Sequence, residues 1–80
     1  MPEPSEPGIR IYPNPFNKGF YIDRYTEVER LNIYHISGVL VKSVPNPDNF
    51  IDMSACESGF YLLEVQLRNG DREYVRILKD

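Results

Sequence analysis

The stretch of sequence that decides the fold spans residues 59–79 and reads GFYLLEVQLRNGDREYVRILK. Apolar and polar residues alternate on both sides of its short turn, and this period of about two residues is typical of half-buried β-strands. Tyr61 and Leu63 share one face of the first strand, and Val75 and Ile77 share one face of the second. Because both apolar faces need to be buried, the stretch predicts a β-hairpin packed on a hydrophobic core.

The register of this hairpin depends on the length of its turn. A two-residue turn would place Leu63 beside Arg76, whereas a three-residue loop over residues 68–70 places Leu63 beside Val75. A slip of one residue moves all the apolar side chains of a strand to the opposite face, so burial selects the three-residue loop. We expect Gly70 to end this loop with a positive φ, as glycine usually does in such hairpins.

Short runs rich in Ile, Val, Leu and Tyr recur between turn residues along the rest of the chain. No run of useful length has the period of about 3.6 residues that a helix requires. The runs predict strands at Ile9–Tyr12, Phe20–Asp23, Glu29–His35, Leu40–Val44, Phe50–Asp52, Gly59–Arg68 and Arg72–Lys79. Residues 25–28 either extend a strand or form a loop. Seven short strands predict an all-β fold, a small antiparallel immunoglobulin-like β-sandwich of two packed sheets.

Turn-forming residues separate the predicted strands. Pro13 and Pro15 cannot donate ladder hydrogen bonds, and Asn14 between them can bond to its own backbone. This segment indicates a rigid strand exit, and a contact point for a partner protein is the alternative. Gly38 and Gly59 interrupt the pattern at the ends of two other strands and indicate turns there.

The composition indicates one small domain. The chain has 80 residues and a net charge of −3, with acids and bases interspersed. This charge pattern lacks the basic stripe of a nucleic-acid-binding protein, and no apolar run is long enough to span a bilayer. Residues 1–8 are rich in Pro and Glu and have neither the basic nor the apolar region of a signal peptide. We therefore assign residues 1–8 to a linker and residues 9–80 to the folded domain.

The residue types that support catalysis or metal binding occur singly. His35 is the only histidine, and nothing beyond Ser37 is near enough in sequence to begin a catalytic triad. The single Cys56 excludes an internal disulfide and has no neighbouring cation that would make it a reactive thiol. A weak calcium site built from scattered loop carboxylates is the alternative to ordinary surface charge. The main prediction is therefore no enzyme activity, no metal site and no cofactor.

Four short signatures follow one another in fixed order: YPNPF at residues 12–16, IYHISG at 33–38, SGFY at 58–61 and RILK at 76–79. Together they resemble the type IX secretion (Por secretion) type A C-terminal sorting domain of Bacteroidota cargo proteins. The resemblance covers nearly the whole chain. The chain departs from the usual family pattern at His35, where aspartate is usual, and at Arg76, where lysine is usual.

The resemblance implies a sorting signal rather than an enzyme. Such a domain would direct a larger cargo protein through the type IX secretion system, with the translocon, shuttle and sortase proteins of that system as partners. The cargo would be in the periplasm in transit, and then at the outer membrane surface or extracellular. The linker ahead of the domain would be the region in which the sortase cleaves.

The last predicted strand carries the candidate recognition residues. Arg72, Tyr74, Arg76 and Leu78 alternate along one of its faces, and arginine and aromatic residues are enriched in protein interfaces. The alternative is an ordinary amphipathic sheet surface on which arginine stems cover apolar atoms. Sorting domains of the resembled family end in a basic and apolar strand. The resemblance therefore favours an interface and adds Lys79 to it.

A protein of a different class is compatible with the same predicted fold. A free-standing immunoglobulin-like adhesion or carbohydrate-binding module would display an exposed aromatic platform, for which Tyr21, Tyr25 and Tyr74 are the candidates. The two classes differ in position, because a sorting domain lies at the C-terminus of its precursor.

Overall fold

The computed structural model describes residues 8–80, so the predicted linker, apart from Gly8, lies outside the described residues. The strands are β1 (Ile11–Tyr12), β2 (Gly19–Ile22), β3 (Val28–His35), β4 (Leu40–Pro45), β5 (Phe50–Asp52), β6 (Gly59–Leu67) and β7 (Arg72–Lys79). All seven predicted strands are therefore confirmed. The first strand was predicted to begin too early, because the backbone N–H of Ile9 donates to the carboxylate of Glu73 and not to a neighbouring strand.

The segment between β2 and β3 forms a short 3-10 turn at Tyr25–Glu27. Arg24 enters the turn with a φ of 55°, and its carbonyl accepts a hydrogen bond of 3.0 Å from the N–H of Glu27. The sequence left a strand extension or a loop as alternatives here. The structure has a helical turn that ends where β3 begins.

The strands form two antiparallel sheets. The smaller sheet has the order β1-β2-β5, and the larger sheet has the order β4-β3-β6-β7. The chain passes from one sheet to the other after β2, β4 and β5. Each sheet is therefore completed by strands that are distant in sequence, and neither could form alone from one continuous segment.

Both sheets contribute to a single hydrophobic core. Its buried strand residues are Val28, Leu31, Ile33, Tyr61, Leu63, Val65, Leu67 and Ile77 from the larger sheet, and Phe20, Ile22 and Ile51 from the smaller. Most of them occupy alternate positions along their strands, as expected for sheets that bury one face each. Phe16, which follows β1 in a loop, is 1% exposed and adds an aromatic ring that packs edge-on against Phe20.

The hairpin of β6 and β7 has the register that burial predicted. Leu63 pairs with Val75 and Tyr61 pairs with Ile77, so the buried faces of the two strands coincide. The N–H of Leu67 donates to the carbonyl of Asp71 across a distance of 2.8 Å and closes the three-residue loop. Gly70 has a φ of 98°, which confirms the predicted positive value.

Replacing Gly70 with valine should lower the free energy of unfolding by about 1–2 kcal/mol, because a β-branched side chain resists a positive φ. A Cβ atom at this position would meet no atom within 4 Å, so the loss comes from the backbone and not from a clash. Urea unfolding of the two proteins measures the difference. Gly70→Asn is the control and should lose less, because asparagine tolerates left-handed backbone. Equal stability of the valine variant and the parent would contradict this explanation.

Candidate functional site

The outer face of the β6–β7 hairpin carries the residues that the sequence grouped together. Cross-strand neighbours on this face are Phe60 with Leu78, Leu62 with Arg76, Glu64 with Tyr74 and Gln66 with Arg72. Tyr74 is 61% exposed and Phe60 is 47% exposed, although both are large apolar side chains. We call this surface the outer face; it lies opposite the core on the same two strands.

Lys79 does not belong to the outer face. It pairs with Gly59 and is separated by two positions from Ile77, whose side chain is buried in the core. Because strand residues two positions apart share a face, Lys79 lies on the side of Ile77 and not on that of Arg76. Of the three basic residues predicted for recognition, Arg72 and Arg76 therefore lie on the outer face and Lys79 does not.

The end of the outer face nearest the C-terminus is apolar. The guanidinium carbon of Arg76 lies 5.8 Å from the centre of the Phe60 ring, a cation–π contact. Tyr34 of β3 pairs with Leu62 on one side and with Leu40 of β4 on the other, which extends the apolar surface across all four strands. A cationic group therefore stands within an exposed apolar area.

The middle of the outer face is organised by the carboxylate of Glu64. It is 9% exposed and accepts a hydrogen bond of 3.0 Å from the side-chain amide of Asn32. The hydroxyl of Tyr74 donates to its other oxygen at 3.3 Å, and a guanidinium nitrogen of Arg72 lies 3.5 Å from the same oxygen. The amide of Asn32, followed by the Gln66, Arg72 and Tyr74 groups, holds the pKa of Glu64 below its usual range, although partial burial opposes this effect.

The polar network continues to the far edge of the larger sheet. The hydroxyl of Ser43 on β4 donates to the side-chain oxygen of Asn32 at 2.6 Å. A guanidinium nitrogen of Arg30 donates to that hydroxyl at 2.9 Å. Side chains from all four strands are thus joined on the side of the larger sheet that faces away from the core, and Glu64 is their central acceptor. Sequence reasoning missed this network, because its members are far apart in the chain.

The two outward arginines have different surroundings. Arg72 pairs with Glu64, so its charge is partly neutralised and is tied to the network. Within residues 8–80, Arg76 forms no ion pair. Of the two arginines on the outer face of the hairpin, Arg76 is therefore the one that no carboxylate of the described chain neutralises.

The Pro-Asn-Pro segment lies beside β7. The side chain of Asn14 forms hydrogen bonds with the backbone of Arg76 and with that of Leu78. The bonds before Pro13 and Pro15 are both cis peptides. The sequence indicated a strand exit or a partner contact here, and the structure adds a direct contact between the first and the last of the four signatures.

Three other residues of the four signatures, Gly38, Gly59 and Tyr61, lie in turns or near strand ends. Gly38 has a φ of 101° in the β3–β4 turn, where its N–H donates to the carbonyl of His35. Gly59 has a φ of 138° at the start of β6. The hydroxyl of Tyr61 donates to the carbonyl of Glu57 at 2.6 Å, and burial raises the pKa of this hydroxyl.

His35 is engaged within its own turn. Its Nδ1 accepts a hydrogen bond of 3.1 Å from the backbone N–H of Ser37, and the Ser37 hydroxyl lies 2.9 Å from the same atom. The ring packs edge-on against Tyr61, with the ring centres 5.6 Å apart. Both contacts lie within the turn that joins β3 to β4.

Among residues 8–80, no three side chains of His, Cys, Asp and Glu come close enough to bind a metal ion together. Within these residues, the loop carboxylates that the sequence offered for a calcium site do not form a cluster of three. The N–H of Ser54 donates to Asp52 at 2.9 Å, and this bond is the main reason that the pKa of Asp52 is lowered. In the same part of the chain, no helix has the length and the apolar character needed to cross a membrane.

The aromatic platform proposed for a carbohydrate-binding module is not formed by the residues named for it. Tyr21 lies in the smaller sheet and Tyr74 in the larger, and Tyr25 lies in the 3-10 turn between them in sequence. Tyr21 instead contacts Tyr12 and Phe50 on the neighbouring strands, with ring centres 5.7 Å and 4.9 Å away. The sequence did not indicate this row, because the pairing of β1, β2 and β5 was not predicted.

Residues 10–79 match the profile of a family described as the secretion system C-terminal sorting domain. The match covers nearly the whole chain, and the chain therefore belongs to this family of sorting domains. It is a sorting signal for type IX secretion cargo, as the four signatures predicted. The family implies an interaction with the type IX secretion machinery and export to the cell surface or the extracellular space. Comparisons with curated proteins and with solved structures give no match.

Replacing Glu64 with glutamine should reduce the acid-sensitive part of the stability. Because the pKa of Glu64 is lowered in the folded state, its carboxylate stabilises the fold above the unfolded-state pKa. That stabilisation is lost as the pH falls through the folded-state pKa. Between about pH 5 and pH 3 the free energy of unfolding should therefore fall more steeply in the parent than in Glu64→Gln. At pH 7 the variant should be less stable by about 1 kcal/mol.

Urea unfolding at several pH values measures this difference in slope. Glu29 is exposed and has no side-chain hydrogen bond within residues 8–80, so Glu29→Gln is the matched control and should leave the slope unchanged. Parallel profiles for the parent and Glu64→Gln would show that the network does not depend on the ionised carboxylate.

Proposed function

We propose that the chain is a transferable, non-catalytic sorting tail, and that the type IX machinery recognises its folded form through the outer face. The observation that carries this proposal is the exposed apolar surface around Arg76. Tyr74, Phe60 and Leu62 are among the exposed large apolar side chains, and they lie beside an unneutralised guanidinium. An arginine among exposed aromatic residues is typical of protein interfaces.

The partners that best fit this role are the outer-membrane shuttle and sortase components of the type IX system. The chain would pass through the periplasm as part of a longer precursor before it reaches the cell surface. Residues 9–80 are the sorting domain in this proposal, and residues 1–8 belong to the linker that a sortase would cleave. No residue of this chain takes part in that cleavage.

Two features support an immunoglobulin-like sandwich as the finer description of the fold. The strand orders β1-β2-β5 and β4-β3-β6-β7 correspond to two facing sheets with crossovers after β2, β4 and β5. Tyr61, near the start of β6, bonds through its hydroxyl to the carbonyl of Glu57, four residues upstream. A tyrosine in this position of the sixth strand is a recurring feature of immunoglobulin-like sandwiches, where it fixes the turn before the strand.

Fusing the chain behind a signal peptide and a fluorescent reporter tests the transferable role. In a host that has type IX secretion, the reporter should reach the cell surface or the medium. The same fusion without the chain is the control and should stay in the periplasm. The proposal fails if an intact and folded fusion that carries the chain is also confined to the periplasm.

Reversing the charge of Arg76 tests the recognition surface. Arg76→Glu should reduce delivery of the fused reporter, because an unfavourable charge at an interface slows encounter and opposes docking. The stability should change by at most about 1 kcal/mol, since the residue is a surface charge without an ion pair among residues 8–80. Arg72 is the poorer probe, because its reversal would place two carboxylates together.

Cell fractionation and thermal melting are measured on the same variant. Arg10 is exposed and has no ion pair or side-chain hydrogen bond within residues 8–80, so Arg10→Glu is the matched control and should be delivered normally. A folded Arg76→Glu variant that is delivered as well as the parent would remove the outer face from the proposal.

A further inference from the structure

β7 is the last strand of the larger sheet, so one of its edges has no neighbouring strand of that sheet. The backbone groups on such an edge are unpaired unless another part of the chain covers them, and they are a ready site for pairing with a foreign strand. The structure shows that residues 14–16, which precede β2, lie along this edge. We call residues 14–16 the clasp.

The side-chain amide of Asn14 substitutes for part of a neighbouring strand. Its nitrogen donates to the carbonyl of Arg76 at 3.3 Å, and its oxygen accepts from the N–H of Leu78 at 3.0 Å. An asparagine side chain carries a carbonyl oxygen that accepts and an NH2 group that donates, and the two can point to the same side, so one side chain satisfies two backbone groups of the strand edge.

Phe16 continues the pairing with its backbone. Its N–H donates to the carbonyl of Leu78 at 2.9 Å, and its carbonyl accepts from the N–H of Asp80 at 2.8 Å. This is a parallel bridge opposite Lys79. The ring of Phe16 is buried in the core, so the bridge is anchored by hydrophobic packing as well as by hydrogen bonds.

We propose that the clasp closes the free edge of β7, and that Asn14 is a positioning residue that holds this strand flat for recognition. The part of the inference that concerns delivery rests on the proposed function. The carbonyl of Arg76 and the N–H of Leu78 are the groups that Asn14 holds, and the side chains of these two residues belong to the outer face. Asn14 of the YPNPF signature therefore positions the backbone of the RILK signature.

The closed edge also determines how a partner can bind. Strand addition needs the free N–H and carbonyl groups of an edge strand. From the carbonyl of Arg76 to the N–H of Asp80, the clasp occupies these groups. A partner that meets the folded domain at this end of β7 therefore contacts side chains of the outer face and not the backbone edge.

Hydrogen exchange of single amides in the 80-residue chain tests the clasp. Asn14→Ala removes both hydrogen-bonding groups, and the exchange of the Leu78 amide should become at least about tenfold faster. Neighbouring residues of a strand point their backbone groups in opposite directions, so the amide of Ile77 faces β6. Its exchange should not change, and it serves as the internal control.

Two further variants sharpen this measurement. Asn14→Asp keeps an oxygen that can accept from Leu78 but loses the donor to the Arg76 carbonyl, so the exchange of Leu78 should lie between that of the parent and that of Asn14→Ala. Asn17 is exposed and has no side-chain hydrogen bond within residues 8–80, so Asn17→Ala should leave both amides unchanged. Unchanged exchange at Leu78 in Asn14→Ala overturns the clasp. If hydrogen exchange in Asn14→Ala becomes faster by the same factor at Leu78 and at Ile77, Asn14 does not act locally on the edge of β7.

Delivery of a fused reporter tests the positioning role with the same variants. Asn14→Ala should reduce delivery. Asn14→Asp should be delivered better than Asn14→Ala, to the extent that it keeps the Leu78 amide protected from hydrogen exchange. Faster exchange at Leu78 with normal delivery overturns the positioning role. If the parent fusion itself is not delivered, the proposed function fails, whereas the exchange result still decides whether Asn14 closes the edge of β7.

Discussion

The structure depends on the alignment of β6 with β7 in a single register. The three-residue loop after Leu67 sets this register, and it places Tyr61 opposite Ile77 with both side chains in the core. A shift of one residue would expose Ile77 and turn Arg76 inwards, where an unpaired charge is costly. The core and the outer face are thus two sides of one ladder, and a change in either would alter the other.

The sequence predicted the parts of the fold that depend on local patterns. The alternation of residues 59–79 was sufficient to place the strands, the three-residue loop and the outward Arg72 and Arg76, because the choice between faces is made by neighbouring residues. Contacts between distant residues could not be predicted in this way. Asn14 lies 62 positions before Arg76, and its bonds to β7 depend on how the two sheets close. The pairing of Glu64 with Asn32 is another such contact.

The Glu64 network gives the two outward arginines different structural roles. From the sequence alone, Arg72 and Arg76 have the same predicted role, since they occupy equivalent positions of one strand. In the structure, Arg72 helps to satisfy a nearly buried carboxylate, whereas Arg76 lies over Phe60. A carboxylate with several partners holds their side chains in fixed positions. A partner protein would therefore meet a surface that is already ordered, and binding would lose less conformational entropy.

The parallel course of the clasp and β7 has a mechanical consequence. Ile9 contacts Glu73, Asn14 contacts Arg76 and Leu78, and Phe16 pairs beside Lys79, so both segments advance in the same direction. A pull on the chain ahead of Gly8, directed back along the strand axis, would load these bonds together in shear. Bonds that share a load resist it better than bonds that are peeled apart in sequence. A cargo attached ahead of Gly8 would therefore pull on β7 through several hydrogen bonds at once, and this arrangement resists tension between the cargo and the strand that is proposed to be recognised.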